Sequence, residues 1–162
     1  MYCVVIPTYK QHFNYVKKLL LSIDTFCSDT IDIYIVVSRE DYEEAHLFQS
    51  NKVRVTILCF KDLIQQNLHI DIDEQQYLDA CGKYTFQSMK KINAVYYLVK
   101  LKYKYIYVVD SEGLYIRPFS FKKIIGNYSK RKRIFYNSKQ DITMKHLLYL
   151  NNYYMPIYLD GF

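Results

Sequence analysis

The sequence predicts an α/β protein with a mostly parallel central sheet. Short, continuous apolar runs, which are typical of strands buried on both faces, alternate along the chain with segments of helical periodicity. Hydrophobic residues make up 51% of the 162 residues and charged residues 23%, while the chain has only 4 glycines and 3 prolines. This composition excludes intrinsic disorder and collagen-like chains. No apolar run approaches the roughly 18 residues that a membrane-spanning helix needs.

The first strand is predicted at Tyr2–Ile6, where an apolar run begins almost at the first residue. A basic region and a cleavage site are missing from this end, which favours a strand over a signal peptide. The strand is expected to end at Pro7, because proline lacks the amide that a central strand needs. The next segment, His12–Phe26, places apolar residues at helical spacing and predicts a helix.

Two further strands are predicted at Ile31–Val37 and Val53–Phe60, since both are apolar runs rich in β-branched residues. Short helices are expected between and after them, at Asp41–Phe48 and Lys61–Leu68. Strands that alternate with helices in this way predict right-handed crossovers between parallel strands.

The middle of the chain is predicted to contain one clear helix and one clear strand. His69–Lys83 is polar and irregular, and we expect a surface loop with some helix there. Phe86–Leu101 has helical periodicity, and Tyr105–Val109 is a strand. An extended segment is expected at Leu114–Phe119, where Pro118 interrupts the pattern.

The last part of the chain predicts two short helices and two strands. The helices are expected at Phe121–Asn127 and Thr143–Leu150, and the strands at Arg133–Tyr136 and Tyr153–Leu159. At this length we expect a single domain, residues 1–162, that buries roughly two thirds of its unfolded surface. The sequence then ends abruptly at Phe162, which we interpret as the end either of a fragment or of a natural short form.

The chain is basic, with 22 lysines and arginines against 16 acids, a net charge of +6 and an isoelectric point near 9.0. This charge favours an anionic partner: nucleic acid, a phosphorylated substrate or an anionic membrane surface. The densest basic run is Lys130–Arg133, which we interpret as a solvated loop. The alternatives are binding of RNA, of a polyanionic acceptor, or of the inner face of an anionic membrane.

The cysteines are predicted to be free thiols. There are four, at positions 3, 27, 59 and 81, without the spacing of a zinc site. Cys3 and Cys59 lie in apolar runs and are expected to be buried. We therefore expect a reducing, cytoplasmic compartment. The four histidines, at positions 12, 46, 69 and 146, show no metal-ligand spacing either and are interpreted as structural or exposed.

The most informative motif is Asp110-Ser111-Glu112, directly after a predicted strand. Alternate residues of extended chain point the same way, so both carboxylates can face one hard cation such as Mg²⁺ or Mn²⁺. Ligands of open α/β sheets bind at this edge, the carboxyl ends of the strands. The alternative is an ordinary turn at a strand end. Asp71 and Asp73 have the same spacing, but they follow no strong strand and are interpreted as a solvated loop.

Two motifs, one at the first predicted strand and one after the strand at Tyr105–Val109, together resemble those of a known family. Val4-Val5-Ile6-Pro7-Thr8-Tyr9 near the start, with an acid-x-acid motif about a hundred residues later, resembles GT-A-type glycosyltransferases. The helical stretch Gln87–Lys91, followed by Tyr107–Glu112, is similar to glycosyltransferases of polysaccharide synthesis, in which a strand ends in Asp-Ser-Asp. The resemblance covers Tyr2–Phe119 and implies a GT-A-like, Rossmann-type three-layer sandwich.

The resemblance implies sugar transfer from a nucleotide-sugar, linked through a nucleoside diphosphate, to a glycan or lipid-linked acceptor. It implies Mn²⁺ or Mg²⁺ held by Asp110 and Glu112, although the family usually has Asp where this chain has Glu112. The donor would be bound at the sheet edge by Pro7, Thr8, Tyr9, Ser38, Arg39, Glu40, Gln87, Lys91, Asp110 and Ser111. Lys90 is a second choice for the phosphates, with a solvated helix face as the alternative for both lysines.

The catalytic base is unknown from the sequence, because an acceptor hydroxyl needs a nearby carboxylate or histidine and none is distinguished. Candidates by position alone are Asp141, His146 and Asp160. Two other functions stay open: a nucleotide-sugar-binding domain without turnover and, less favoured, a basic module for nucleic acid. Dinucleotide and P-loop sites are excluded because their glycine motifs are missing. Nucleotidyltransferases are disfavoured because no glycine precedes Gly82.

Overall fold

The computed structural model of the protein describes residues 1–131, 134–137 and 157–160. Within it the chain forms two compact units, Met1–Phe121 and Lys122–Phe162, which are described separately below. The prediction that residues 1–162 form one domain stays a prediction. Among the described helices, none combines the length and the apolar character that crossing a membrane would require.

The first unit is built on a four-stranded sheet in which every pair is parallel. The strands are β1 (Tyr2–Pro7), β2 (Asp32–Val37), β3 (Val55–Cys59) and β4 (Tyr105–Val108), in the order β3-β2-β1-β4. Val4 at the centre of β1 pairs with a residue of β2 on one side and of β4 on the other. The predicted parallel sheet is confirmed, and the first strand in the sequence is one of its two central strands.

Four helices connect these strands: α1 (Phe13–Phe26), α2 (Tyr42–Ala45), α3 (Phe60–Leu68) and α4 (Glu74–Lys100). Each lies in a parallel crossover, as the alternation of strands and helices predicted. The predicted helices are therefore confirmed, although α2 is shorter than expected.

Helix α4 begins earlier than the sequence predicted, since part of the expected surface loop is helical. The Asp73 side chain caps the helix by accepting a hydrogen bond of 3.0 Å from the backbone amide of Gln76. Gly82, with φ 77°, then kinks the helix in a conformation that favours glycine. The cap and the kink explain why this polar stretch is helical although its residues lack a helical hydrophobic periodicity.

The core lies on both faces of the sheet, which is why the strands are continuously apolar. On one face, Cys3 and Tyr34 pack with α3 and α4 in one buried cluster. On the other, alternate residues such as Val4 and Ile33 are also fully buried, and α1 supplies the buried residues Val16, Leu19 and Ile23. The result is a three-layer α/β/α arrangement.

The cysteines are free thiols, and the two that were predicted to be buried, Cys3 and Cys59, are buried. Burial raises the pKa of the Cys3 thiol to about 12, so it stays protonated and unreactive at neutral pH. The reducing, cytoplasmic location stays a prediction.

The segment between β4 and the second unit is irregular rather than a strand. Phe119 nevertheless forms an isolated parallel bridge with Cys27, and its amide donates to the Phe26 carbonyl over 3.0 Å. Nearer β4, the Tyr115 amide donates to Ser22 Oγ over 3.2 Å. The segment predicted as extended is thus attached to α1 without entering the sheet.

The second unit contains the rest of α5 (Phe121–Arg131) and a parallel pair of strands. These are β5 (Ile134–Asn137) and β6 (Ile157–Asp160), in which Ile134 pairs with Ile157. Both predicted strands are present with shifted ends. The helix predicted at Thr143–Leu150 lies outside the described residues, as does part of the basic run 130–133.

Candidate functional site

A cavity of about 370 Å³ opens at the carboxyl edge of the sheet, where β1 and β4 end side by side. Strands, turns and α4 each contribute to its wall. The lining residues are Pro7, Tyr9, His12, Lys83, Tyr84, Gln87, Lys91, Asp110, Ser111 and Glu112. The structure therefore brings together both sequence motifs, the turn after β1 and the acidic motif after β4.

Each carboxylate of the acidic motif has a nitrogen partner in this cavity. Lys91 Nζ lies 2.8 Å from Asp110 Oδ1, and His12 Nδ1 lies 3.2 Å from Glu112 Oε1. His12 Nδ1 also lies 3.2 Å from Ser111 Oγ, which is buried. Both carboxylates are well exposed, so a ligand can reach the oxygens that remain.

A cationic and aromatic group lies beside the acidic motif. The Tyr9 hydroxyl is 2.6 Å from His12 Nε2 and accepts a hydrogen bond of 3.2 Å from Lys83 Nζ. The Lys83 ammonium also lies 4.7 Å from the centre of the Tyr9 ring. Contacts therefore run from Lys83 through Tyr9 and His12 to Glu112.

His12, Lys83 and Tyr84 are the three lining residues that the sequence analysis missed. His12 was interpreted as structural or exposed, but its place three residues after Tyr9, in the turn that leaves a central strand, was a usable signal. Lys83 had no such signal. It lies in the stretch predicted as a loop, and only the kink at Gly82 and the course of α4 bring it to the cavity.

The donor atoms at this site fit a divalent cation only in part. Among the described residues there is no group of three or more His, Cys, Asp or Glu side chains able to hold a metal. Mg²⁺ is nevertheless commonly bound by one or two carboxylates, with substrate phosphates and water completing the shell. Asp110 and Glu112 are a suitable pair for an ion completed in that way.

Lys90 and Thr8 are buried and do not line this cavity. Lys90 is fully buried, and its ammonium donates a hydrogen bond of 3.1 Å to the Thr8 carbonyl. Desolvation by burial lowers the pKa of Lys90 to about 8, against the opposing influence of Glu74 and other acids. Lys90 is thus neither a phosphate contact nor a solvated helix face. Thr8 is itself 1% exposed, and its Oγ1 is buried without a hydrogen-bond partner.

The predicted residues at the end of β2 lie in a different cleft, of about 560 Å³. Ser38, Arg39 and Glu40 line it together with the first turn of α4. There the Glu74 carboxylate accepts a hydrogen bond of 2.8 Å from the Arg39 amide, while Glu74 Oε1 is buried without a partner. Burial raises the pKa of Glu74. Apart from the buried Thr8, the predicted donor residues therefore divide between two clefts.

Of the other residues that the sequence analysis considered, Asp71 and Asp73 also line the cleft at the end of β2. Asp71, in the acid-x-acid pair interpreted as a solvated loop, forms an ion pair of 2.9 Å with Lys61. Asp141 and His146 lie outside the described residues, and Asp160 ends β6 in the second unit. Their proposed role as a catalytic base stays a prediction.

Comparison with known proteins identifies the fold. No protein-family profile matches the sequence, and no curated protein matches it. Among solved structures, the apo form of mouse xyloside xylosyltransferase 1 is similar, with a TM-score of 0.55 and 11% sequence identity. The match covers 93% of this chain but 58% of the mouse chain, so this chain spans little more than half of that protein. The four-stranded parallel sheet with its flanking helices is therefore a GT-A-like, glycosyltransferase-like fold.

Proposed function

We propose that this chain binds a nucleoside-diphosphate sugar in the cavity between β1 and β4 and transfers the sugar to a glycan or lipid-linked acceptor. One observation carries the proposal: two exposed lysines, an aromatic ring and the acidic motif converge at the carboxyl edge of a GT-A-like sheet. A phosphorylated donor matches this chemistry, and it agrees with the net charge of +6. Polysaccharide synthesis is the process proposed for it.

Lys83 and Lys91 are the groups that would hold the diphosphate. Both ammonium groups reach the cavity from α4, on the C-terminal side of the Gly82 kink. As the glycosidic bond breaks, negative charge grows on the departing diphosphate, and fixed cations stabilise that charge without reorganising. The Tyr9 ring would stack against the donor at the neighbouring wall.

Asp110 and Glu112 would hold Mn²⁺ or Mg²⁺ in the proposed enzyme. The ion, when bound, supplies further neutralisation of the leaving nucleoside diphosphate. Lys91 keeps Asp110 oriented toward the cavity through their 2.8 Å contact, and His12 does the same for Glu112. These contacts position the two carboxylates before the donor arrives.

A donor-binding domain without turnover is the second candidate. It is favoured by the pairing of both carboxylates with nitrogen groups of the protein itself, which leaves less negative charge for a metal ion. Binding and turnover therefore need separate experiments.

The binding experiment is a thermal-shift screen of nucleoside diphosphates with and without Mn²⁺. A ligand at about a hundred times its dissociation constant should add roughly 2.7 kcal/mol to the free energy of unfolding. We expect Asp110→Asn to lose the Mn²⁺-dependent part of the shift. The matched control is Asp79→Asn, because Asp79 is exposed on α4 and lines neither cleft. No shift with any nucleoside diphosphate would contradict the proposed donor site.

The turnover experiment measures release of the nucleoside diphosphate from each nucleotide-sugar that binds. Transfer predicts release that increases when glycan or lipid-linked acceptors are added. Binding with no release under any of these conditions would favour the second candidate over the first.

A further inference from the structure

An apolar groove of about 380 Å³ lies on the first unit, and its lining shares no residue with either cleft. Its exposed side chains belong to α1 and to the segment after the acidic motif. Leu21 is 64% exposed, Leu114 59% and Ile116 78%. Lys18, Ser22, Thr25, Phe26 and Tyr115 complete the lining. Three large aliphatic side chains exposed side by side typically mark a contact surface.

The groove is held in place by backbone hydrogen bonds and by two stacked aromatic rings. The Tyr115 amide donates to Ser22 Oγ over 3.2 Å, and the Phe119 amide donates to the Phe26 carbonyl over 3.0 Å. The Tyr115 and Phe119 rings stack with their centres 3.8 Å apart. Leu114 and Ile116 therefore project from an anchored segment rather than from a free loop.

Lys18 lines the groove, and two further basic residues, Lys17 and Arg117, adjoin lining residues in the sequence. Lys17 and Lys18 are exposed on α1, and Arg117 is exposed next to Ile116. In the part of the chain that the structure describes, no ion pair involves these three residues. Among the described residues, none of those that line the groove is acidic. A second copy of the chain is a poor occupant, because a two-fold contact would bring the two basic rims together.

We propose that this groove docks the protein on an anionic lipid bilayer. The aliphatic side chains would enter the boundary between headgroups and acyl chains, and the basic rim would contact anionic headgroups. Leu114 follows Glu112 by two residues, so docking would bring the donor cavity near the bilayer surface. The idea that docking gives access to a lipid-linked acceptor rests on the proposed function. Docking to the bilayer does not depend on that function.

The test is co-sedimentation of the whole chain with vesicles of phosphatidylcholine alone or of equal parts phosphatidylcholine and phosphatidylglycerol. We expect binding to the anionic vesicles that weakens at high salt. The double variant Leu21→Ser/Ile116→Ser should lose at least about tenfold in affinity for the anionic vesicles. Lys17→Glu/Lys18→Glu should also lose affinity. The control is Leu47→Ser, since Leu47 is 71% exposed but lies outside the groove.

Equal binding by the wild type and the double variant would overturn the proposal, as would equal binding to neutral and anionic vesicles. A wild-type dimer in light scattering that the double variant loses, without vesicle binding, would assign the groove to a second copy instead. Ile116→Ser alone serves if the double variant does not fold. The nucleotide thermal shift of each variant reports the donor site separately, so failure of docking and failure of the proposed function are distinguishable.

Discussion

At the scale of single residues, the lysines of α4 in and near the cavity have very different environments. Lys83 and Lys91 present exposed ammonium groups to the cavity, whereas Lys90, next to Lys91 in sequence, is fully buried. One turn of α4 thus supplies a cation that lines the cavity and a cation that is buried. Helical geometry explains this, because neighbouring residues lie about 100° apart around the axis.

Lys83→Met should weaken binding of the nucleoside diphosphate by about tenfold, because a hydrogen bond to a charged group contributes roughly 1.5–3 kcal/mol. Isothermal titration calorimetry measures the change directly. Lys100→Met is the matched control: Lys100 also lies over a tyrosine ring, at 4.4 Å, but at the far end of α4. Equal affinities of wild type and Lys83→Met would remove Lys83 from the donor site.

Lys90 should make the protein more stable as the pH rises from about 8 to 10.5. Its pKa is lowered from 10.5 to about 8, so within that interval the unfolded chain binds a proton that the folded chain has released. The free energy of unfolding should therefore increase by about 3 kcal/mol across this interval. Below about pH 8, where Lys90 is protonated in the folded protein as well, this increase is absent. Urea unfolding of the wild type and of Lys90→Met at several pH values measures this effect as the difference between their free energies of unfolding. A difference that does not change with pH would show that burial leaves Lys90 unperturbed.

At the scale of secondary structure, α4 organises both clefts. Its first turns line the cleft at the end of β2, and the part beyond Gly82 lines the cavity between β1 and β4. The kink at Gly82, with φ 77°, separates the two parts. The direction of the second part, and with it the position of Lys83, depends on one residue that accepts a left-handed backbone conformation.

Gly82→Ala should destabilise the protein by about 1–2 kcal/mol, because a Cβ is unfavourable at positive φ. No atom lies within 4 Å of the added methyl group, so the cost comes from the backbone and not from a clash. Gly126→Ala is the control: Gly126 is in α5 without a positive φ, so alanine should be neutral or stabilising. Urea unfolding compares the two. If both variants changed the free energy of unfolding equally, the positive φ at position 82 would not require glycine.

At the scale of the whole molecule, stability should be greatest at the centre of the sheet. Strand β1 pairs on both sides, with β2 and with β4, and its residues from Cys3 to Pro7 are buried. The first turns of α4 carry many exposed polar side chains. Cooperative opening is therefore expected to be rarest at β1.

Hydrogen exchange should protect the amides of β1 most strongly and those of Gln75–Ala80 much less. The physical reason is that exposing β1 requires the sheet to separate, whereas the start of α4 can open locally. Peptide-resolved mass spectrometry measures both segments in one experiment. Faster exchange in β1 than at the start of α4 would contradict the fold described here.

The sequence by itself determined the parallel sheet and the position of both site motifs. The strands are buried on both faces, so their apolar runs are continuous and easily recognised, and the carboxyl ends of parallel strands necessarily share one edge. The start of α4 was missed because its stability comes from the Asp73 cap and from packing, not from a hydrophobic periodicity.

Only the tertiary structure decided which side chains meet. His12 and Ser111 are 99 residues apart, and no local pattern relates them. The burial of Lys90, the arrival of Lys83 beside Tyr9, and the division of the predicted donor residues between two clefts depend on where α4 crosses the sheet. Sequence patterns report the environment of an element averaged along its length, whereas a site is made by contacts between elements far apart in the chain.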